Sequence, residues 1–124
     1  MIGVFRVVVR VFSLQEPERR QEVEMVVDTG AFRTVIPRTT ADALGVRTEK
    51  RQTFRMINGE PITRDLGWIG ASVEGESVHT LAILGEPGDQ PVLGALTLEE
   101  LTLEVDATRG RLRPMQDLLL LAVS

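Results

Sequence analysis

Between Phe5 and Val11 every second residue is apolar: Phe5, Val7, Val9 and Val11 fall on one side, with Arg6 and Arg10 on the other. Only an extended chain sends successive side chains to opposite faces, so this period of two specifies a half-buried β-strand there. The pattern returns in "EVEMVV", where Val23, Met25 and Val27 oppose Glu22 and Glu24 beyond a polar, Pro-containing loop, "SLQEPERRQ". Together the segments predict a hairpin whose second arm runs straight into Asp28.

The rest of the chain is cut into similarly short pieces. "TVIP" reads as a short buried strand, and "PRTTADALG" as one helical stretch with Pro37 near its start and Gly45 as its stop. Asn58-Gly59 signals an exposed hairpin over Thr53 to Arg64, with Pro61 confining its arm to a sheet margin. "WIGASVEG" and "SVHTLAIL" form a further pair of strands turned at Glu74-Gly75-Glu76, and "GEPGDQ" is a loop. Thr97 with Glu100 is a capping-box pattern that starts a short helix at "LEEL". "LTLEVDATRGRLRP" closes as a hairpin with Gly110 in its turn. Many short strands and one or two short helices predict an all-β chain, a small closed or folded-over β-barrel rather than an α/β sheet. At 124 residues it is a single domain, 1–124.

Composition removes several functions. A net charge of −4 argues against a nucleic-acid partner, whose footprint is basic. With no cysteine and a single histidine, His79, neither a disulfide framework nor a metal site is expected, and no cofactor is implied. His79 reads as a half-exposed structural residue, and Trp68 as core or pocket wall. Arg6 and Arg10 interrupt the N-terminal apolar run and no small-residue cleavage site follows, while "DLLLLAVS" is far too short to cross a bilayer. A cytoplasmic protein without a membrane partner is expected.

The chemistry concentrates in "VVDTGAFRTVIP", Val26 to Pro37. Asp-Thr-Gly by itself is ordinary turn material. The longer pattern, two apolar residues, Asp-Thr-Gly-Ala, then Thr, two apolar residues and Pro, resembles the active-site strand and turn of retroviral-type, retropepsin-like single-lobe aspartic proteases. Stand-alone microbial members are the most similar. "PVLGALTLEELTLEVD" resembles that family's second landmark, and the Asn58-Gly59 hairpin lies where the family keeps its substrate-covering flap. The resemblance runs in order from about Val4 to about Leu112.

The resemblance implies the acid-protease barrel and an aspartic endopeptidase. Asp28, Thr29 and Gly30 would form the catalytic turn: Asp28 activating water, Thr29 bonding across a dimer, Gly30 letting the backbone approach. Ala31, Phe32, Met56, Ile57, Asn58, Gly59 and Val92 would meet substrate. Hydrolysis without metal or covalent nucleophile needs one carboxylate as base and one carboxyl as acid. The sequence holds one Asp-Thr-Gly, and Asp65, Asp106 and Glu104 lack such a turn, so the second carboxyl is expected from another copy. That makes a twofold homodimer acting on a peptide or protein substrate. The run Leu118 to Leu121 in the tail 118–124, or "MIGVF", would supply interface strands, the alternative being that they join the core of their own chain.

Three departures sharpen the reading. Phe32, Arg33 and Ala95 stand where retroviral members keep a paired Asp and Arg. Ala31 stands where two-lobed relatives usually carry Ser, so no hydroxyl lowers the carboxylate pKa and a mildly acidic optimum is expected. The hairpin tip is less Gly-rich and carries Glu60. Two rivals remain open: a non-catalytic β-barrel binding or assembly module, and a processing protease with one dedicated protein target.

Overall fold

A computed structural model describes residues 5–116; of the expected interface segments, the tail 118–124 and all of "MIGVF" except Phe5 lie outside the described residues. The first hairpin forms as its alternation requires. Strands β1 (Arg6–Phe12) and β2 (Arg20–Asp28) pair antiparallel with Val9 opposite Val23, and Val9, Val11, Val23, Met25 and Val27 are all buried. The outward residues pair in cross-strand salt bridges, Arg6 with Glu24 and Arg10 with Glu22.

Beyond the Asp28 turn come β3 (Val35–Ile36), helix α1 (Arg38–Ala43), β4 (Lys50–Arg55), β5 (Pro61–Val73) and β6 (Glu76–Leu84). Helix α1 follows Pro37, whose missing N–H costs nothing at a helix start, and ends before Gly45 at φ +69°. Strand β5 is longer than the sequence suggests: Pro61 to Val73 is one continuous strand, pairing with β4 at one end and with β6 from Asp65 onward. Its glycines mark close approaches rather than breaks, since a Cβ on Gly67 would sit 2.7 Å from the Arg47 carbonyl oxygen. The chain finishes with β7 (Val92–Gly94), helix α2 (Ala95–Glu100), β8 (Leu103–Asp106) and β9 (Arg111–Pro114), the last two forming a separate hairpin with Gly110 at φ +61°.

The main sheet runs β1-β2-β7-β3-β6-β5-β4, and β1 also pairs with β5, so the pairings close into a ring. The fold is thus mostly β with two short helices, as expected. Inside lies one cluster that includes Val9, Met25, Ile36, Ile69, Leu84 and Leu93, with Leu98, Leu101, Leu103 and Leu112 joining it from the C-terminal third.

Of the two places expected for Trp68, core and pocket wall, it takes the second: it lies on the outer face of β5, 48% exposed, lining a shallow depression with Val46, Arg47 and Glu49. One expectation fails. Thr97 does not cap α2. The helix begins two residues earlier, Gly94 precedes it without a side-chain cap, and the Thr97 hydroxyl is buried and bonded elsewhere. His79, expected to be half-exposed, is exposed and packs edge-on against Phe12 with ring centroids 6.4 Å apart.

Ion pairs brace the surface and set its acid sensitivity. Asp65 accepts hydrogen bonds from Arg38 of α1 at 2.8 Å and from Arg51 of β4 at 2.6 Å, and the Arg38 bond holds its carboxyl below the ordinary value of 3.8 against the opposing effect of burial. Arg64 lowers Asp89 and Arg109 lowers Asp106 in the same way. Each group is more acidic folded than unfolded, so its contribution is complete above the unfolded pKa and disappears as pH falls through the folded one. The urea midpoint is therefore expected to hold steady from pH 7 to 5 and to fall below about pH 4. A midpoint at pH 3 equal to that at pH 7 would contradict these assignments.

Candidate active site

Asp28 is the last residue of β2, set there by the parallel pairing of β2 with β7, which aligns Val26 with Val92, Val27 with Leu93 and Asp28 with Gly94. Its side chain is exposed. The chain turns at once: Gly30 N–H donates to Asp28 Oδ1 at 2.8 Å, and Ala31 N–H donates to the Asp28 carbonyl at 3.1 Å. A Cβ on Gly30 would lie 3.1 Å from that same Oδ1, so a bare glycine lets the carboxylate rest against the backbone. Ala31 offers no hydroxyl to the carboxylate.

The loop after the turn is pinned to the start of α2. Consecutive amides do this: Gly94 N–H donates to Thr34 Oγ1 at 3.1 Å, Ala95 N–H to the Ala31 carbonyl at 2.7 Å, and Leu96 N–H to the Phe32 carbonyl at 3.0 Å. Arg33, from the same loop, donates to the Leu81 carbonyl at 3.1 Å, and its guanidinium sits 5.4 Å from the Phe32 ring centroid.

Beside this turn lies an open apolar groove of about 360 Å³. Its walls include Ala31, Phe32 and Val92, expected from the sequence, and Val35, Phe54, Ile62 and Ile83, which sequence reading did not single out. The last four come from β3, β4, β5 and β6, and only the pairing of those strands brings them together. The polar margin was also missed: Arg64 grips Asp89 with two bonds, Nε to Oδ2 at 2.7 Å and Nη2 to Oδ1 at 3.0 Å. This paired fork ties the β4–β5 hairpin to the loop that leads into β7.

Met56, Ile57, Asn58 and Gly59 are not among the groove walls. They form the tip of the β4–β5 hairpin, with Met56 45% and Ile57 fully exposed. The tip is well specified: Met56 N–H donates to the Glu60 carbonyl at 2.8 Å, Glu60 N–H to Asn58 Oδ1 at 2.9 Å, and Gly59 takes φ +89°. Asn-Gly thus makes a three-residue loop with a bulge glycine rather than a two-residue turn.

The family model described as "gag-polyprotein putative aspartyl protease" matches residues 19–100, from the start of β2 through α2. The chain belongs to this aspartyl protease family. Its match contains both the Asp28 turn and the Val92–Gly94 strand paired to it. Among solved structures this family member is similar to the EIAV protease complexed with the inhibitor HBY-793, at 14% identity and a TM-score of 0.59 over 79% of this chain and 88% of that one. It is also similar to the retroviral protease-like domain of Ddi1 from Leishmania major, at 16% identity and 0.57 over 93% and 99%, and to a retropepsin-like aspartic protease from Rickettsia conorii, at 16% and 0.51 over 86% and 88%. At such identities these likenesses describe the fold. No curated protein shows significant sequence similarity to the chain.

Proposed function

We propose that the protein is an aspartic endopeptidase whose active unit is a homodimer, with Asp28 of each copy supplying one carboxyl. The observation that carries this reading is the Asp28 turn itself: an exposed carboxylate at a strand end, held by the Gly30 N–H at 2.8 Å, beside an apolar groove. The other acids considered are occupied. Asp65 is held by Arg38 and Arg51, Asp106 by Arg109, and Glu104 by Arg113 at 2.7 Å. A second free carboxyl for the chemistry is best supplied by a symmetry mate across a twofold axis.

Two carboxyls about 3 Å apart share one proton, since both cannot ionise together. The ionised one takes a proton from water, the water oxygen attacks the peptide carbonyl carbon, and the protonated one gives its proton to the carbonyl oxygen. Collapse of the tetrahedral species then returns a proton to the leaving amine. The pair titrates jointly. Thr29 would lock the two turns together, and Met56 to Gly59 at the hairpin tip would close over an extended peptide once the second copy is present. The Ala31, Phe32 and Val92 groove would hold an apolar substrate side chain.

The test is cleavage of a diverse peptide mixture between pH 4 and 7, read by mass spectrometry over a range of protein concentrations. Activity is expected to rise faster than linearly with concentration until the dimer saturates, with a mildly acidic optimum. A maximum below about pH 3, where an ordinary Asp is mostly protonated, would contradict the role given to Ala31. No cleavage at any concentration by folded protein would favour the binding module or the single-target protease.

A further inference from the structure

A chain of buried hydroxyls starts one residue from the groove wall and runs to Glu100, the last residue of α2. Gly94 N–H donates to Thr34 Oγ1 at 3.1 Å, and Thr34 Oγ1 donates to Thr97 Oγ1 at 2.7 Å. Thr97 and Thr80 lie 3.4 Å apart, and Thr80 Oγ1 donates to Glu100 Oε1 at 2.8 Å. Thr34, Thr97 and Thr80 are each at most 1% exposed. The two ends fix the direction. A backbone N–H can only donate, Thr80 gives its one proton to Glu100, and each hydroxyl between has only one, so Thr97 must donate to Thr80. Every link therefore points from Gly94 toward Glu100, and aligned links strengthen one another.

Burying three hydroxyls is costly unless all are satisfied, and simple packing would be served as well by Val. What this chain holds is the Ala31–Thr34 loop, which joins the Asp28 turn to β3 and carries Phe32 of the groove wall. We infer that Thr34, Thr97, Thr80 and Glu100 are positioning residues that act through Gly94 and this loop to hold Asp28 in its reactive place. The inference rests on the proposed protease function for its kinetic consequence, but the structural link can be read without catalysis.

The decisive variant is Thr97→Val, which keeps the shape and removes the acceptor for Thr34. Amide hydrogen exchange at Gly94, Ala95 and Leu96 is expected to speed up at least about tenfold more than at β5–β6 amides such as Ile69 and Ala82. In the peptide assay kcat is expected to drop about tenfold with KM within about twofold, and Thr97→Ser, which restores the hydroxyl, to recover most of it. Glu100→Ala, at the exposed end of the chain, should fold even if Thr97→Val does not, and is expected to shift the same amides and kcat by about threefold. Exchange at Gly94–Leu96 that is unchanged, or that rises only in step with β5–β6, would overturn the inference, as would a loss confined to KM. Should the wild type cleave no peptide, the proposed function falls while the exchange result still decides this one.

Discussion

Asp28→Asn is expected to reduce peptide cleavage by about 10²–10⁴-fold, the usual contribution of a positioned acid or base. Asn has the same shape, and its side-chain carbonyl can still accept the Gly30 N–H that Asp28 Oδ1 accepts at 2.8 Å. The turn is therefore retained, and because Asp28 is exposed no packing is lost. The melting temperature should stay within about 2 °C of the wild type, as for most surface substitutions. What the variant cannot do is ionise. Both partners of the shared pair are replaced at once in a homodimer, so neither base nor acid remains. A variant that keeps its fold and more than about a tenth of wild-type cleavage would mean that another group does the chemistry.

Gly94→Ala is expected to be the most damaging single methyl addition near the site. A Cβ there would lie 2.6 Å from the Arg33 carbonyl carbon, 2.7 Å from its oxygen and 2.9 Å from the Phe32 carbonyl oxygen. All three are backbone atoms of the loop that continues from the Asp28 turn, and no rotamer change relieves the overlap. Overpacking of this kind costs about 2–3 kcal/mol, which corresponds to a fall in melting temperature of about 10 °C for a domain of this size. The molecules that do fold must push the loop off the start of α2, so cleavage per folded molecule should fall as well. Gly70→Ala provides the comparison. Its new Cβ meets the ring of Phe12, which pairs with Arg20 at the end of the β1–β2 hairpin away from Asp28, and that ring can turn. Loss of stability without loss of specific activity is expected there. If Gly94→Ala melts within about 2 °C of the wild type, the close packing of β7 against the loop has been misjudged.

The sequence announced whatever depended on local geometry. The alternation of Phe5 to Val11 and of Val23 to Val27 specified β1 and β2 because one face of each meets the core, and the two arms had to end at Asp28. Pro37 and Gly45 bracketed α1 because their backbone restrictions act within one turn. Features that depend on distant partners were hidden. Phe54, Ile62 and Ile83 look like any strand residues until β4, β5 and β6 align them beside Phe32. Thr97 and Glu100 have the spacing of a capping box, yet both side chains turn to Thr80, a partner from another strand, and the backbone begins the helix without them. The hairpin arm ending at Arg64 and the strand starting at Trp68 read as separate pieces, because nothing local reveals that β5 runs on through Gly67 with the Arg47 carbonyl passing over it. The Arg64–Asp89 fork was invisible for the same reason: the residues are joined across the groove margin, not along the chain.

Mixing subunits reveals whether one active site is built from two copies of Asp28. Wild-type protein at fixed concentration is combined with a ninefold excess of Asp28→Asn, allowed to exchange, and assayed on the same peptides. If each site needs a carboxyl from both copies, random pairing places nearly all wild-type chains in inactive mixed dimers, and cleavage falls to about one tenth. Cleavage unchanged by the excess, with exchange verified by mass spectrometry of the mixed dimers, would show that each chain works alone and would contradict the shared site.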